Sequence, residues 1–236
     1  MIRKIFGLLV LAVIVMGLTG YWSYRGAVVT VPMADKVLAL TYDDGPNPPH
    51  TQAMLNMLEL HDVKATFFVK GRNVEAFPEG LEAIVAAGHE VGNHSYSHQF
   101  MAFMGSDETR EELLKTNALI AAIQGFEPVL FRPPYGGQGP YLKGLIDELE
   151  MTSILMSTSG LDWEKTQAQE IAGLVLEKIE PGGIILLHDG HGDIDDPKTQ
   201  NSRAASVIAT GVIIETLKSQ GYSFVTVGEL LAMAEQ

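Results

Sequence analysis

The sequence predicts a single α/β domain organised on a parallel sheet. Three observations carry that prediction. After Pro32, short runs rich in β-branched and aromatic residues alternate with longer runs of helical periodicity, the order expected of successive βα units. One of the short runs, Ile184 to Leu187, is apolar throughout, as a strand covered on both faces must be. No internal repeat, low-complexity tract or linker after residue 32 divides the body in two. With 236 residues, 46% of them hydrophobic, the chain can bury a sizeable core and fits one large domain plus an appendage.

The elements follow in order. Val37 to Thr41 forms the first strand and runs into Tyr42-Asp43-Asp44-Gly45-Pro46. His50 to Leu60 places Met54, Leu55, Leu58 and Leu60 mostly on one helical face, so that helix packs back on the sheet. Ala65 to Val69 is the next strand. A broken helical region from Arg72 to Ala87 stops at Gly88 and leads into a short strand at His89, Glu90 and Val91. Ser106 or Asp107 caps a long helix to about Gln124, with Gly125 as its stop, and Val129 to Phe131 is a strand. Pro140 suits the first turn of a helix to Leu149, and Thr152 to Met156 reads as a strand. Thr166 to Ile179 is helical. Pro181-Gly182-Gly183 turns the chain into Ile184 to Leu187, Ala204 to Ser219 is the last long helix, and Tyr222 to Val225 the final strand. The acidic loop of Asp193, Asp195 and Asp196 is expected to stay solvated.

Composition narrows the function classes. Sixteen basic against 29 acidic residues give a net charge of −13, which repels a phosphate backbone, and no Lys/Arg cluster offers a local exception. Nucleic acid is therefore excluded as a partner. The chain has no cysteine, so thiolate catalysis, Cys-ligated zinc and disulfides are unavailable, and metal ligands must be His and carboxylates. At the N-terminus, Arg3 and Lys4 precede an apolar stretch from Ile5 to Leu18, followed by Tyr21, Trp22 and Tyr24. This predicts a signal peptide or an uncleaved signal anchor over residues 1–30, with residues 5–18 as the membrane segment. The body, residues 31–236, is then exported: periplasmic, extracellular or membrane-anchored outside the cytoplasm.

Groups suited to catalysis stand at or just after the C-terminal ends of different strands, where α/β barrels gather their active sites. Asp43 and Asp44 leave the first strand as adjacent carboxylates able to point in different directions. Ordinary turn chemistry explains the same tetrapeptide, since Asp caps its own backbone and Gly-Pro turns the chain. His94 and His98, spaced i and i+4, can share a helical face. With Asp44 they make a His/His/Asp set suited to a divalent cation with open coordination positions. The two histidines could equally cap a turn or hold an adventitious ion. Arg132, Tyr135, Asp162, Trp163 and His188 follow later strands. His50, His61 and His89 lack such partners and read as surface or packing residues, and His191 reads as loop rim.

Thr41-Tyr42-Asp43-Asp44-Gly45-Pro46, His94-Ser95-Tyr96-Ser97-His98, Arg132-Pro133-Pro134-Tyr135-Gly136, Asp162-Trp163 and Leu186-Leu187-His188, in that order, resemble the motifs of the polysaccharide deacetylase family with the NodB homology fold. The similarity runs from about Val37 to Val227. The resemblance implies a distorted (β/α) barrel with fewer than eight strands, as a single catalytic domain. It implies hydrolysis of N-acetyl groups on an N-acetylated glycan, such as peptidoglycan or chitin-type chains, with a divalent metal, zinc first and cobalt or nickel as substitutes. By resemblance Asp43 is the general base, Asp44, His94 and His98 hold the metal, and His188 is the general acid for the leaving amine. Arg132 would orient Asp43, Asp162 would tune His188, and the Tyr135 backbone N–H would complete an oxyanion hole. Leu186 would line the pocket for the acetyl methyl, with Trp163 beside it or in the core. The division of labour between Asp43 and Asp44 rests on the resemblance more than on spacing.

Two departures stand out: Tyr42 replaces a usual Phe, and Ser159 stands where many members carry a further Asp. The second puts local support of the His188 side in question. Two other function classes fit the chain less well. A noncatalytic glycan-binding module on the same fold would not need the full acid, base and ligand set. A glycoside hydrolase needs two carboxylates flanking a sugar, which adjacent Asp43 and Asp44 cannot do.

Overall fold

The computed structural model describes residues 26–192 and 203–235. The predicted leader segment up to residue 25, including residues 5–18, and the acidic loop of Asp193, Asp195 and Asp196 lie outside the described residues. Among the described residues no helix is long and apolar enough to cross a membrane.

Among the described residues eight strands form one curled sheet. They are β1 (Val37–Asp43), β2 (Thr66–Val69), β3 (Glu90–Asn93), β4 (Leu130–Phe131), β5 (Thr152–Ser153), β6 (Thr158–Ser159), β7 (Ile184–His188) and β8 (Ser223–Val225). Their order is β5-β4-β3-β2-β1-β7-β6, and every pairing is parallel. β8 pairs with Val37 to Ala39 on the edge of β1 whose later half, Thr41 to Asp43, pairs with β2. The distorted barrel is thus observed as an open, curled sheet wrapped by helices. A short N-terminal piece lies across the opening, with Val28 bridging to Ile154 and Thr30 to Gly183.

Period-two alternation explains how the interior is layered. Leu38, Leu40 and Tyr42 of β1, Phe67 and Val69 of β2, and Ile185 and Leu187 of β7 join the apolar cluster under the helices. The alternate residues Val37, Ala39, Phe68 and Ile184 meet Leu130, Ile154, Val31, Val227 and Leu230 inside the curl. Above that apolar floor the same inward face continues as Thr41 and Asp43 on β1 and as Leu186 and His188 on β7. The polar site is therefore the open end of a hydrophobic stack.

The helices are α1 (His50–Leu60), α2 (Gly71–Ala76), α3 (Pro78–Ala86), α4 (Ser106–Gln124), α5 (Pro140–Glu148), α6 (Ala168–Leu176), α7 (Arg203–Ser219) and α8 (Val227–Ala234). α1 buries Thr51, Met54, Leu55 and Leu58, the spacing of one helical face. The broken region after Arg72 is two helices meeting at Phe77, with Pro78 opening the second. α4 ends at Gly125 in the left-handed region (φ 90). Sequence patterning misses α8, which is held by a reciprocal capping box between Thr226 and Glu229.

The expected strand Thr152 to Met156 is shorter, ending at Ser153, and a second strand piece, Thr158–Ser159, lies beyond the expected range. Only Thr152 and Ser153 pair with β4. The Arg132 guanidinium then takes the carbonyls of Ile154 (3.4 Å) and Leu155 (3.1 Å), which removes them from the ladder. The chain re-enters the sheet at Thr158 and Ser159, beside β7. Both motif departures are accommodated. Tyr42, fully buried, shares a hydrogen bond with Thr210 Oγ1 at 3.1 Å, so its hydroxyl has a partner. Ser159 Oγ accepts the Leu161 N–H at 3.1 Å, a local turn bond that sets up Asp162.

Candidate active site

β1 ends at Asp43, and Asp44 follows in the left-handed region (φ 74), so the two carboxylates leave the strand in different directions. Gly45 is required here: a Cβ on it would lie 2.3 Å from the Asp189 carboxylate. The turn reading of this tetrapeptide therefore holds, and it leaves the catalytic reading compatible with the geometry. Asn73 Nδ2 donates to the Asp44 carbonyl at 2.8 Å and fixes the turn from α2.

Asp43 and Arg132 form a buried pair. Arg132 Nη1 donates to Asp43 Oδ1 at 2.6 Å and to Thr41 Oγ1 at 2.8 Å, and its guanidinium lies 4.1 Å from the centre of the Phe68 ring. Burial lowers the guanidinium's pKa, but Asp43 opposes this, and so strong a base stays charged. Oδ2 of Asp43 remains free of Arg132 and stands 3.6 Å from His94 Nε2. One oxygen is anchored while the other faces the site.

His94 to His98 is a loop, not a helical turn, which corrects the expectation of a shared helical face. The physical reason is local: Ser95 and His98 both adopt left-handed backbone (φ 61 each), which a helix excludes. The histidines still converge, with ring centres 5.0 Å apart. His94 Nδ1 lies 2.7 Å from the Arg132 carbonyl. A carbonyl only accepts, so Nδ1 carries the proton and Nε2 presents its lone pair to the site. His98 Nε2 is 3.2 Å and His94 Nε2 3.8 Å from Asp44 Oδ1.

This donor set fits a divalent cation. One ligand atom from each of Asp44, His94 and His98 lies within 4.8 Å of the others. Asp44 Oδ1, buried between the two rings, has no hydrogen-bond partner, the signature of an oxygen meant for something else. Burial by itself would raise the Asp44 carboxyl, but in acid the charged imidazoles of His98, His188 and His94 outweigh it and hold it well below the usual range. Burial brings His98 down to about 4 against the pull of Asp44. Both groups are therefore in ligand form at neutral pH.

The surroundings of His188 are built separately. His188 Nδ1 lies 2.8 Å from Asp162 Oδ1, and the His188 backbone N–H donates to Asp162 Oδ2 at 2.9 Å. Burial pulls the imidazole down, but the Asp162 carboxylate more than compensates, so His188 titrates above its ordinary value. Burial would raise Asp162 in turn; His188, Arg203 and Ser206 together bring it below the usual range. Trp163 is 48% exposed and stands edge-on to His188 at 5.4 Å, so it belongs to the site rim and not the core. Leu186 is buried one turn of the pleat below His188 on the same face. Tyr135 sits at φ 57 in the tight turn Pro134–Gly136, with its ring edge-on to His98 at 4.6 Å.

His191 is not loop rim: it is buried, at 3% exposure. Lys70, itself buried, donates to the carbonyls of His191 and Gly192 at 2.6 Å each and draws that loop inward. Burial lowers His191 to about 4, and its ring meets His50 edge-on at 5.8 Å. His89 is a packing residue as expected, set against Phe67 and accepting from the Ala65 N–H.

Several supporting groups have no signature in the sequence. Glu112 on α4 accepts the N–H of Tyr96 (2.9 Å) and of Ser97 (2.7 Å) and the Ser97 hydroxyl (2.6 Å). It clamps the loop between the two histidines. Arg203 on α7 reaches Asp162 Oδ2 at 3.3 Å and the Gly190 carbonyl at 2.6 Å, and Ser206 donates to Asp162 at 2.6 Å. Asp189, fully buried, accepts from Thr51 at 2.5 Å and is pushed up to about 7 by burial. A Glu at the flank of a helix and a lone cation on an apolar one look ordinary in sequence; only the topology brings them to the site. Glu112→Ala should weaken metal affinity by about 10- to 100-fold, as loss of an outer support typically does. Competition with a coloured chelator measures it, and an unchanged affinity would remove Glu112 from the site's support.

Residues 30–154 match the family model described as polysaccharide deacetylase. A Bacillus subtilis relative, the peptidoglycan-N-acetylmuramic acid deacetylase PdaC, is 35% identical over 207 residues, which cover 88% of this chain and 41% of that protein. The chain thus spans under half of that relative's length. The crystal structure of the Bc1960 peptidoglycan N-acetylglucosamine deacetylase superposes with a TM-score of 0.79 at 34% identity, covering 86% of this chain and 91% of the other. BA3943 from Bacillus anthracis, described as a pseudoenzyme, superposes with a TM-score of 0.78 at 32% identity over 87% of this chain and 68% of its own. A shared barrel therefore does not by itself decide activity; the side chains at its mouth do. The model match over more than half the sequence, joined to a curled parallel sheet that collects the same ordered motifs at one end, shows that this chain belongs to the polysaccharide deacetylase family.

Proposed function

We propose that the protein is an exported, metal-dependent hydrolase that removes N-acetyl groups from N-acetylglucosamine-containing glycan, peptidoglycan or a chitin-type chain, and releases acetate. The observation that carries this reading is the opposed pair Asp43 and His188. They are register partners across β1 and β7, each braced by its own buried counter-charge, with the Asp44, His94 and His98 set beside them. Amide hydrolysis needs such a division, one group accepting a proton from water and another delivering one to a poor leaving nitrogen. A divalent cation held by Asp44, His94 and His98, zinc in this reading, would supply Lewis acidity toward water and the amide oxygen.

The chain's own residues do the rest. Asp43 Oδ2 accepts the proton of the attacking water while Arg132 holds Oδ1. The Tyr135 backbone N–H faces the developing oxyanion. His188, protonated and steered by Asp162, donates to the nitrogen as the C–N bond breaks, leaving a free amine on the sugar and acetate in the site. Leu186 lines the slot for the acetyl methyl, and Trp163 borders the sugar.

Acetate release by the purified chain, with zinc or cobalt, from N-acetylglucosamine oligomers and peptidoglycan fragments tests the reading. Mass spectrometry of the products locates each lost acetyl group. Metal-dependent release is expected. Sugar binding with no acetate from any of these substrates would instead make the protein a glycan-binding relative of the pseudoenzyme type.

A further inference from the structure

Beside the site stands an exposed aromatic wall that none of the roles above uses. From the Tyr135 ring, which is 70% exposed, the ring centres step 6.1 Å to Phe100 and a further 5.5 Å from Phe100 to Phe103. Phe103 is 75% exposed. Leaving a Phe in water forgoes about 1.5–3 kcal/mol of burial, so Phe103, held outward beyond a Phe100 that is itself 39% exposed, calls for an occupant.

The wall is built, not incidental. Met101, between the two phenylalanines, is buried among Leu113, Phe131 and Leu142 and pins the short 3-10 turn Met101–Phe103 from beneath. The Phe100 ring is seated on Gly137, where any Cβ would come within 2.3 Å of it. Phe100 is thereby fixed and Phe103 is presented beyond it.

We propose that Phe100 and Phe103, continuing from Tyr135, form a stacking platform for the uncharged pyranose rings that neighbour the reacting sugar. This rests on the deacetylase reading and adds to it a determinant of chain length. Axial C–H bonds of a pyranose pack on the negative face of an aromatic ring, and the wall starts at the ring beside His98. The other apolar occupant, an anionic bilayer, is disfavoured by charge. Asp107 and Glu108 follow directly, and no Lys or Arg lies between Arg72 and Arg110.

The test compares the full chain with Phe103→Ala and Phe103→Trp on N-acetylglucosamine oligomers from dimer to hexamer. Phe103→Ala should raise KM for the hexamer about tenfold, the worth of one lost stacking contact. It should leave dimer kinetics unchanged, and Phe103→Trp should restore the hexamer value. Equal effects at every length, or none, overturn the platform while leaving the deacetylase reading intact. Should the unaltered chain release no acetate, the deacetylase reading falls alone. Calorimetric binding of the hexamer then decides the platform, which requires weaker binding by Phe103→Ala. A Phe103→Ala loss of binding to phosphatidylglycerol vesicles, with oligomer kinetics unchanged, assigns the wall to a bilayer and overturns the proposal.

Discussion

Asp43→Asn lowers acetate release by roughly 10²- to 10⁴-fold, the range for loss of a positioned general base, and leaves bound metal unchanged. The expectation follows from how the carboxylate is held. Its Oδ1 is bonded to Arg132 at 2.6 Å, and only Oδ2 faces the site. Asn can keep the anchoring acceptor while losing the capacity to take a proton. The variant also leaves Arg132 buried with its counter-ion gone, and breaking such a pair costs about 3–5 kcal/mol. Thermal unfolding must therefore be measured alongside activity. Asp44→Asn is the matched comparison: it should lose metal and activity together, because it neutralises the carboxylate whose unpartnered oxygen lies between His94 and His98. If the metal contents of the two variants are interchanged, the assignments of base and ligand are reversed.

The second large effect separates two substrates instead of two residues. His188→Ala should cut hydrolysis of the sugar N-acetyl group by roughly 10²- to 10⁴-fold but spare most hydrolysis of 4-nitrophenyl acetate. A nitrophenolate leaves without a proton; an amine does not. Equal losses on both substrates would show that His188 is no acid. The pH profile adds a signed test. The acid must be protonated, and Asp162 holds His188 above its ordinary value, so the alkaline limb extends to higher pH than a free imidazole would allow. Asp162→Asn removes that push and moves the limb to lower pH.

The groups legible in the sequence were those whose chemistry is local. Asp43 and His188 end their strands, His94 and Arg132 directly follow theirs, and a parallel sheet gathers strand ends by construction. The division between inner and outer faces of β1 and β7 is likewise local, since alternation fixes it. What escaped reading depends on distant partners. Glu112 reaches the histidine loop from a helix that begins after it, and Arg203 and Ser206 reach Asp162 across about forty residues of chain. The helical reading of His94 to His98 failed because i, i+4 spacing does not distinguish a helix from a loop bent twice into left-handed backbone. The strand after Thr152 was cut short by a side chain, Arg132, whose demand for carbonyl acceptors no propensity scale contains.

Arg132 also has an evolutionary consequence. It joins β4 to the Thr41 and Asp43 side chains of β1 and to the carbonyls beyond β5, so it spans the interior of the curl. Selection for a folded barrel alone would retain Arg132, even in a lineage that no longer needed the proposed reaction. A position nearer solvent, such as Tyr135, carries no comparable constraint. Descendants that fall silent should therefore lose such rim residues first and keep the inner cation long after the chemistry has gone.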